Sequence, residues 1–341
     1  MDEVTIIGVD LAKRFFQAHG ARADGSVAFR RKLTRARILA FMAEQPRCVV
    51  AMEACASAHH WAREFGALGH EVKLIPPIYV KPFVKRQKND AADAEAIAEA
   101  ASRPTMRFVA VKSAEQQALG MAFRTRDLLV RQRTQTINAL RGHLAEFGVV
   151  APKGPAHVRR LAEAADDPGN GLLEPVVALA RTLLDLIGEL TCRIGDLEAE
   201  LRARAPRNEG SARLMTVPGV GPVCACAVEA FAPPAVVFRS GRDFAAWLGL
   251  TPRQRSSGGK ERLGKASKMG QRDLRRLLVC GAMSVIRWHG RAGAPPMPWL
   301  SAMLARKPRM LVAVALANKL ARIIWALMTR GETYRHPVGA S

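Results

Sequence analysis

Asp10 ends the apolar run of IIGVD, and Glu53 closes VVAMEA. Strand ends are where sheet folds present catalytic groups, so each acid is expected at the margin of a core and not on an open face. Two further acids lie in KNDAADAEAIAEA, residues 88–100. At about 100° per residue, Asp90 and Asp93 fall within roughly 60° of each other and bracket Ile97, the one large apolar side chain of the stretch. On that spacing they point inward, whereas Glu95 and Glu99 take the solvated side. A plainer alternative makes Asp90 an N-cap and Asp93 a first-turn acid that complements the helix dipole. The inward reading would bring these two acids together with Asp10 and Glu53, and the spacing leaves both readings open. Four clustered carboxylates repel one another and need a cation to offset the repulsion. Hard oxygen ligands suit Mg²⁺ or Mn²⁺, and paired ions about 4 Å apart are the usual device for phosphodiester chemistry.

A second set of residues is basic. From Arg253 to Arg276, nine Lys or Arg stand against two acids, a net +7 in 24 positions. Arg253, Arg255, Lys260, Arg262, Lys265 and Lys268 fall within TPRQRSSGGKERLGKASKMG, which holds no aromatic side chain. Phosphate contact is expected there and base stacking is not. Taken alone, its Ser-Ser-Gly-Gly run reads as a flexible linker. Upstream, TVPGVGP lies between two helical stretches. It serves either as a structural turn or as a set of backbone amides for a phosphate.

Charge runs through the whole chain: 52 Lys plus Arg against 30 Asp plus Glu give +22 and a pI near 10.8. That excess calls for a polyanionic partner, nucleic acid before any other. No apolar run is expected to span a bilayer, and the acidic opening MDEVTIIGVD is unlike a signal peptide, so a soluble intracellular protein without membrane contact is expected. Cysteines at 48, 55, 192, 224, 226 and 280 form no CxxC pair and have no His at zinc-ligand spacing. They are expected to be buried thiols.

These residues need a scaffold, and 341 residues suffice for two or three domains. The strand-like segments TIIGVDLA, FFQAHG, SVAFRRKL, CVVAMEA and EVKLIPP, the second and third joined at a DG turn, share the first hundred residues with helical RARILAFMAEQ and SAHHWAREFGALG. That order predicts an α/β domain with a mixed sheet. From Ser113 to Phe147 the spacing predicts one long helix, and from about 174 to 205 another. In the second, Leu183, Ile187, Leu190, Ile194, Leu197 and Leu201 step by 4, 3, 4, 3, 4, a heptad seam. A loop rich in Pro, Gly and Asp, near 150 to 172, joins them. Such a pair either folds on itself as an antiparallel hairpin or joins copies as a coiled coil. The remainder, notably LRRLLVCGAMSVIRW and LVAVALANKLARIIWALM, is helical in pattern.

Taken in order, IIGVDLAK, AMEACAS, KNDAADAEAIAE, TVPGVGPV and GLTPRQRSSGGKERLGKASKMG resemble the DEDD insertion-sequence transposases, the IS-one-ten family, to which the Piv-like DNA invertases are related. The likeness runs over essentially the whole chain. It implies a RuvC-like (RNase H-like) α/β domain over 1–110, a long helical coiled-coil hairpin over 111–208 and a mainly α-helical transposase domain over 209–341. It assigns the four metal-binding, catalytic acids to Asp10, Glu53, Asp90 and Asp93. The nucleophilic serine falls on Ser257, which directly precedes Gly258, with Ser256 as the alternative. The resemblance further implies donor and target DNA, a guide (bridge) RNA, Mg²⁺ and a homo-oligomer, dimer or tetramer. Two other activities compete: a RuvC-like two-metal nuclease of the Holliday-junction type, and a non-catalytic RNA-binding scaffold.

Overall fold

The computed structural model describes residues 3–85, 90–260, 262–293 and 296–335. They divide into two compact units, Met1–Gln117 and Ala118–Ser341.

In the first unit β1 (Val4–Leu11), β2 (Phe15–Arg22) and β3 (Val27–Thr34) form an antiparallel meander. The β2–β3 turn is the expected Asp-Gly one: Gly25 has φ +84° and the Ser26 N–H donates to the Asp24 carboxylate at 2.9 Å. Helix α1 (Ile38–Ala43) leads to β4 (Val49–Glu53), and α2 (Ala58–Ala67) leads to β5 (Glu71–Ile75). The order is β3-β2-β1-β4-β5, with β4 parallel to both β1 and β5. The sheet is therefore mixed, as the alternating patterns require. On one face Ile7, Val9, Phe16, Val50 and Met52 pack with Ile38, Met42, Trp61 and Phe65 from α1 and α2. Each such buried side chain contributes roughly 1.5–3 kcal/mol.

The short α3 (Pro77–Val80) precedes α4 (Asp90–Ser102), which covers the other face. Its alanines have a steric reason. A Cβ placed on Gly8 of β1 would lie 2.2 Å from the Ala94 carbonyl oxygen and 2.7 Å from the Ala98 nitrogen. Helix and strand touch backbone to backbone there, and only small side chains fit. Ala94, Ala96, Ala98, Ala100 and Ala101 are buried with Ile97. The inward sector is consequently wider than Ile97 alone suggests, and the expected division between inward aspartates and solvated glutamates blurs. Asp93, Glu95 and Glu99 are all half-buried. Glu95 accepts from Lys85 at 2.6 Å and from Arg30 of β3 at 2.8 Å. The Lys85 hydrogen bond, more than any other contact, holds its carboxyl below the usual range. Asp90 begins the helix, but its side chain lies outside the described residues. Gly8→Ala is expected to destabilise this unit by about 1–3 kcal/mol through overpacking, read as a lower urea midpoint at unchanged m-value.

The second unit is mainly helical. It takes in all but the start of α5 (Ala114–Ala145), then α6 (Val158–Asp166), α7 (Glu174–Arg204), α8 (Glu209–Met215), α9 (Pro222–Phe231) and α10 (Gly241–Trp247). A small hairpin, β6 (Pro252–Gln254) and β7 (Leu263–Ala266), precedes α11 (Arg272–Trp288), α12 (Pro298–Arg306) and α13 (Arg309–Arg330). Helices α5 and α7 lie antiparallel. Arg126 pairs with Glu198, Arg133 donates to Thr191 at 3.3 Å, and Ile137, Leu140 and Leu144 pack with Ala180 and Ile187. The segment expected to be a plain loop, 150 to 172, instead contains α6. Its Leu161 and Ala165 are buried against α5 and α7, and the flanking Pro and Gly residues hid that spacing in the sequence.

Helix α13 corrects another expectation. By length and composition it is apolar enough to cross a membrane. Its Val312, Leu316, Leu320 and Ile324 are instead buried in the core shared with α9, α10 and α11. The cysteines are all free, but only Cys48, Cys224 and Cys226 are buried, whereas Cys192 and Cys280 are exposed. Burial pushes the thiols of Cys48 and Cys224 up to about 11 and about 12, so both stay protonated and inert.

Candidate active site and nucleic-acid interface

Sheet register brings two of the acids together. Val9 of β1 lies opposite Met52 of β4 in the parallel pair, so the next residues, Asp10, one short of the end of β1, and Glu53, the last of β4, stand side by side on adjacent strands. Side chains alternate across a sheet. Gly8 and Ala51 face α4, and Asp10 and Glu53, two positions on, share that face. Both are half-buried. Beside them the Cys55 thiol is raised, by burial most, by the Glu53 charge next and least by Asp10. Asp93 stands on α4 one residue before Ala94, which meets Gly8. Among the described residues no three acid, His or Cys side chains form a metal-holding group. The donor type of Asp10 and Glu53, hard carboxylate oxygen in adjacent positions, suits a divalent cation.

Behind Glu53 the chain turns tightly. Ala54 donates to Ile75 O at 2.8 Å, Cys55 donates to Glu53 O at 2.8 Å, and Ser57 has φ +71°. A non-glycine residue in the left-handed region costs about 1–3 kcal/mol, and such strain concentrates at functional sites. Nothing in the spacing of AMEACAS announces it.

In the basic loop, Ser-Ser-Gly-Gly is an ordered turn and not a linker. Gly258 and Gly259 have φ +56° and +74°, and the Lys260 N–H donates to Ser257 O at 3.2 Å. Two successive left-handed residues are the signature of a type I′ hairpin turn. Ser257 occupies its first corner and is exposed. The Ser256 hydroxyl accepts the Arg262 N–H at 3.2 Å and so helps close the hairpin. Arg255, Lys260, Arg262, Lys265 and Lys268 are exposed along it, with Lys268 at φ +54°. Arg253, exposed as well, donates to Ser267 O at 3.3 and 3.2 Å and thereby clasps the base of the hairpin.

That base is rooted by residues without a visible sequence signal. A Cβ on Gly249 would lie 2.1 Å from Met269 O, and one on Gly270 would lie 1.8 Å from Trp247 O. Arg275 donates to Leu248 O at 2.9 Å and to Met269 O at 3.0 Å. In TVPGVGP, Gly219 has φ +85° and backs onto Gly281 of α11, where a Cβ would lie 2.0 Å from Gly219 O. Packing thus accounts for this turn.

Comparison with known proteins resolves the family. Residues 7–148 match a transposase family of the IS110 DEDD type, and residues 211–295 match the transposase IS116/IS110/IS902 family. A probable family 20 transposase of Pseudomonas aeruginosa is 50% identical over 332 residues, 96% of this chain and 98% of its own length. A putative transposase of Sinorhizobium fredii is 47% identical over 346 residues, covering 99% of this chain and 88% of its own length. The transposase for insertion sequence element IS1328 of Yersinia enterocolitica is 42% identical over 335 residues, covering 98% and 99%. The chain belongs to the IS110 family of DEDD transposases. The first matched span contains Asp10, Glu53, Asp90 and Asp93, and the second contains Ser257 with the basic hairpin. DEDD transposase domains use a divalent metal. For an IS110-family transposase the charge also has its explanation: between Asp273 and Glu332 the sequence has ten Lys or Arg and no acid.

Proposed function

We propose that this transposase cuts and rejoins donor and target DNA through a covalent phosphoserine, with an RNA selecting the sites. The adjacency of Asp10 and Glu53 in the sheet register carries the reading, because it sets two carboxylates at one strand end on the face that also bears α4. Asp10 and Glu53, with Asp90 and Asp93 from α4, would hold Mg²⁺, or Mn²⁺ in its place. Bound there, the ion would supply charge stabilisation to the phosphodiester. Ser257 attacks the scissile phosphorus: its Oγ–P bond forms, the bond to the 3′ oxygen breaks, and the hydroxyl proton ends on that oxygen. The ester conserves the bond for rejoining without an energy cofactor. Arg255, Lys260, Arg262, Lys265 and Lys268 hold phosphates at the hairpin, while Arg253 contributes through the clasp at its base. The three-part division at 110 and 208, with a coiled coil that joins copies into a dimer or tetramer, and action at the nucleoid in a prokaryotic cytoplasm belong to the same proposal. So does service of one scissile bond by the serine and carboxylates of different copies.

The test is the purified full chain with its co-purified RNA, incubated with donor and target DNA and Mg²⁺, then denatured. A protein–DNA adduct that needs both ion and RNA, and whose DNA-linked peptide carries the modification on Ser257, is expected. Free 5′-phosphate ends without an adduct would favour two-metal hydrolysis. Absence of cleavage under every divalent ion would favour a scaffold, and correct site choice without RNA would remove the guide.

A further inference from the structure

The sheet carries the row of Asp10 and Glu53 outward across two more strands. Asp10 lies opposite Gln17 of β2, and Gln17 lies opposite Lys32 of β3. Residues directly opposite one another share a face, so Glu53, Asp10, Gln17 and Lys32 form one line on the α4 side. The preceding row fixes that assignment independently. Ala51, Gly8, His19 and Arg30 are in register, Gly8 meets Ala94 and Ala98, and Arg30 bonds Glu95 of α4.

The two rows differ in their cations. Arg30 is paired with a carboxylate, and its row lies under the helix. Lys32 is exposed and has no carboxylate partner among the described residues. Its ammonium sits 4.7 Å from the ring centroid of Phe15, which is 44% exposed at the start of β2. An open apolar ring under an open cation suits a sugar-phosphate backbone, whose sugars are apolar and whose phosphates are charged.

We propose that Gln17, Lys32 and Phe15 form a track for the DNA strand being cut, running from the carboxylate pair toward the sheet edge. This rests on the reading that Asp10 and Glu53 carry the phosphodiester chemistry. Strands are spaced about 4.8 Å apart, so Lys32 stands two strands, about 10 Å, from Asp10. That separation places Lys32 beside a phosphate of the same strand that is a near neighbour of the reacting one. Lys32 is a positioning residue that anchors the strand there, and Gln17 offers its carboxamide to a phosphate oxygen beside Asp10.

Binding of the full chain to a DNA that it cuts, measured by anisotropy against salt, tests the track. Lys32→Ala is expected to lower the slope of log affinity against log salt by about 0.9 and to raise KM about tenfold, with kcat within about twofold. Lys32→Arg restores both, which a purely structural lysine would not require. Gln17→Leu is expected to lower kcat about tenfold at unchanged slope. An unchanged slope and KM in Lys32→Ala, or no rescue by arginine, overturns the track. Asp10→Asn separates the two claims: if it stops cutting while Lys32→Ala leaves the slope untouched, only the track falls. If Asp10→Asn cuts at the parental rate, the carboxylate reading falls and the track falls with it.

Discussion

Ser257→Ala is expected to bind DNA as the parent does yet form no covalent adduct, with joining below about 10⁻³ of the parental rate. The turn itself should survive, because its unusual dihedrals belong to Gly258 and Gly259 and its closing hydrogen bond uses the backbone of Ser257. Ser256→Ala is the matched control. It removes the acceptor of the Arg262 N–H at an exposed site, a loss of at most about 1 kcal/mol locally. It should therefore slow joining only modestly and still give the adduct. Denaturing electrophoresis and mass spectrometry of the DNA-linked peptide read both outcomes. An adduct on Ser256, or one that persists in Ser257→Ala, would place the nucleophile elsewhere.

Asp10→Asn is expected to lose metal-dependent cutting by on the order of 10²–10³-fold while the N-terminal unit becomes no less stable. Without metal, relief of repulsion against Glu53 favours the fold. A gain of about 1 kcal/mol would raise the melting midpoint by roughly 4 °C. Adding Mg²⁺ reverses the ranking. Ion at about a hundred times its Kd stabilises the parent by about 2.7 kcal/mol, and the variant loses most of that increment. Melting curves with and without Mg²⁺ measure the crossover directly. A variant that cuts normally, or a parent whose midpoint ignores Mg²⁺, would dissociate Asp10 from metal binding.

The short apolar runs bounded by turn residues made the sheet legible, down to the Asp-Gly turn, because continuous buried runs and turn chemistry are local properties. Glu53 could be recognised as a strand end for the same reason, whereas β1 runs one residue past Asp10, to Leu11. Their neighbours Gln17 and Lys32 could not be recognised, since FFQAHG and SVAFRRKL acquire meaning only once pairing fixes which residues stand opposite. The alanines of α4 misled in one respect: a helix pressed against Gly8 buries a broad arc, so Glu95 is held by Arg30 and Lys85 and not simply solvated. The order of the Ser-Ser-Gly-Gly turn was equally hidden. Its anchors, Gly249, Gly270 and Arg275, are backbone approaches and carbonyl contacts with no periodicity of their own.

Strand β3 is an open edge of the sheet, and Arg30, Arg31 and Lys32 stand exposed along it. An unpaired edge invites a second copy to add its own strand, and a run of like charge is the usual defence. In this protein the defence is conditional. A polyanion that neutralises those side chains also removes what keeps two such edges apart. Solutions titrated with heparin should stay clear while the protein retains net charge and turn cloudy near neutrality. Clarity should return when excess polyanion recharges the particles with the opposite sign.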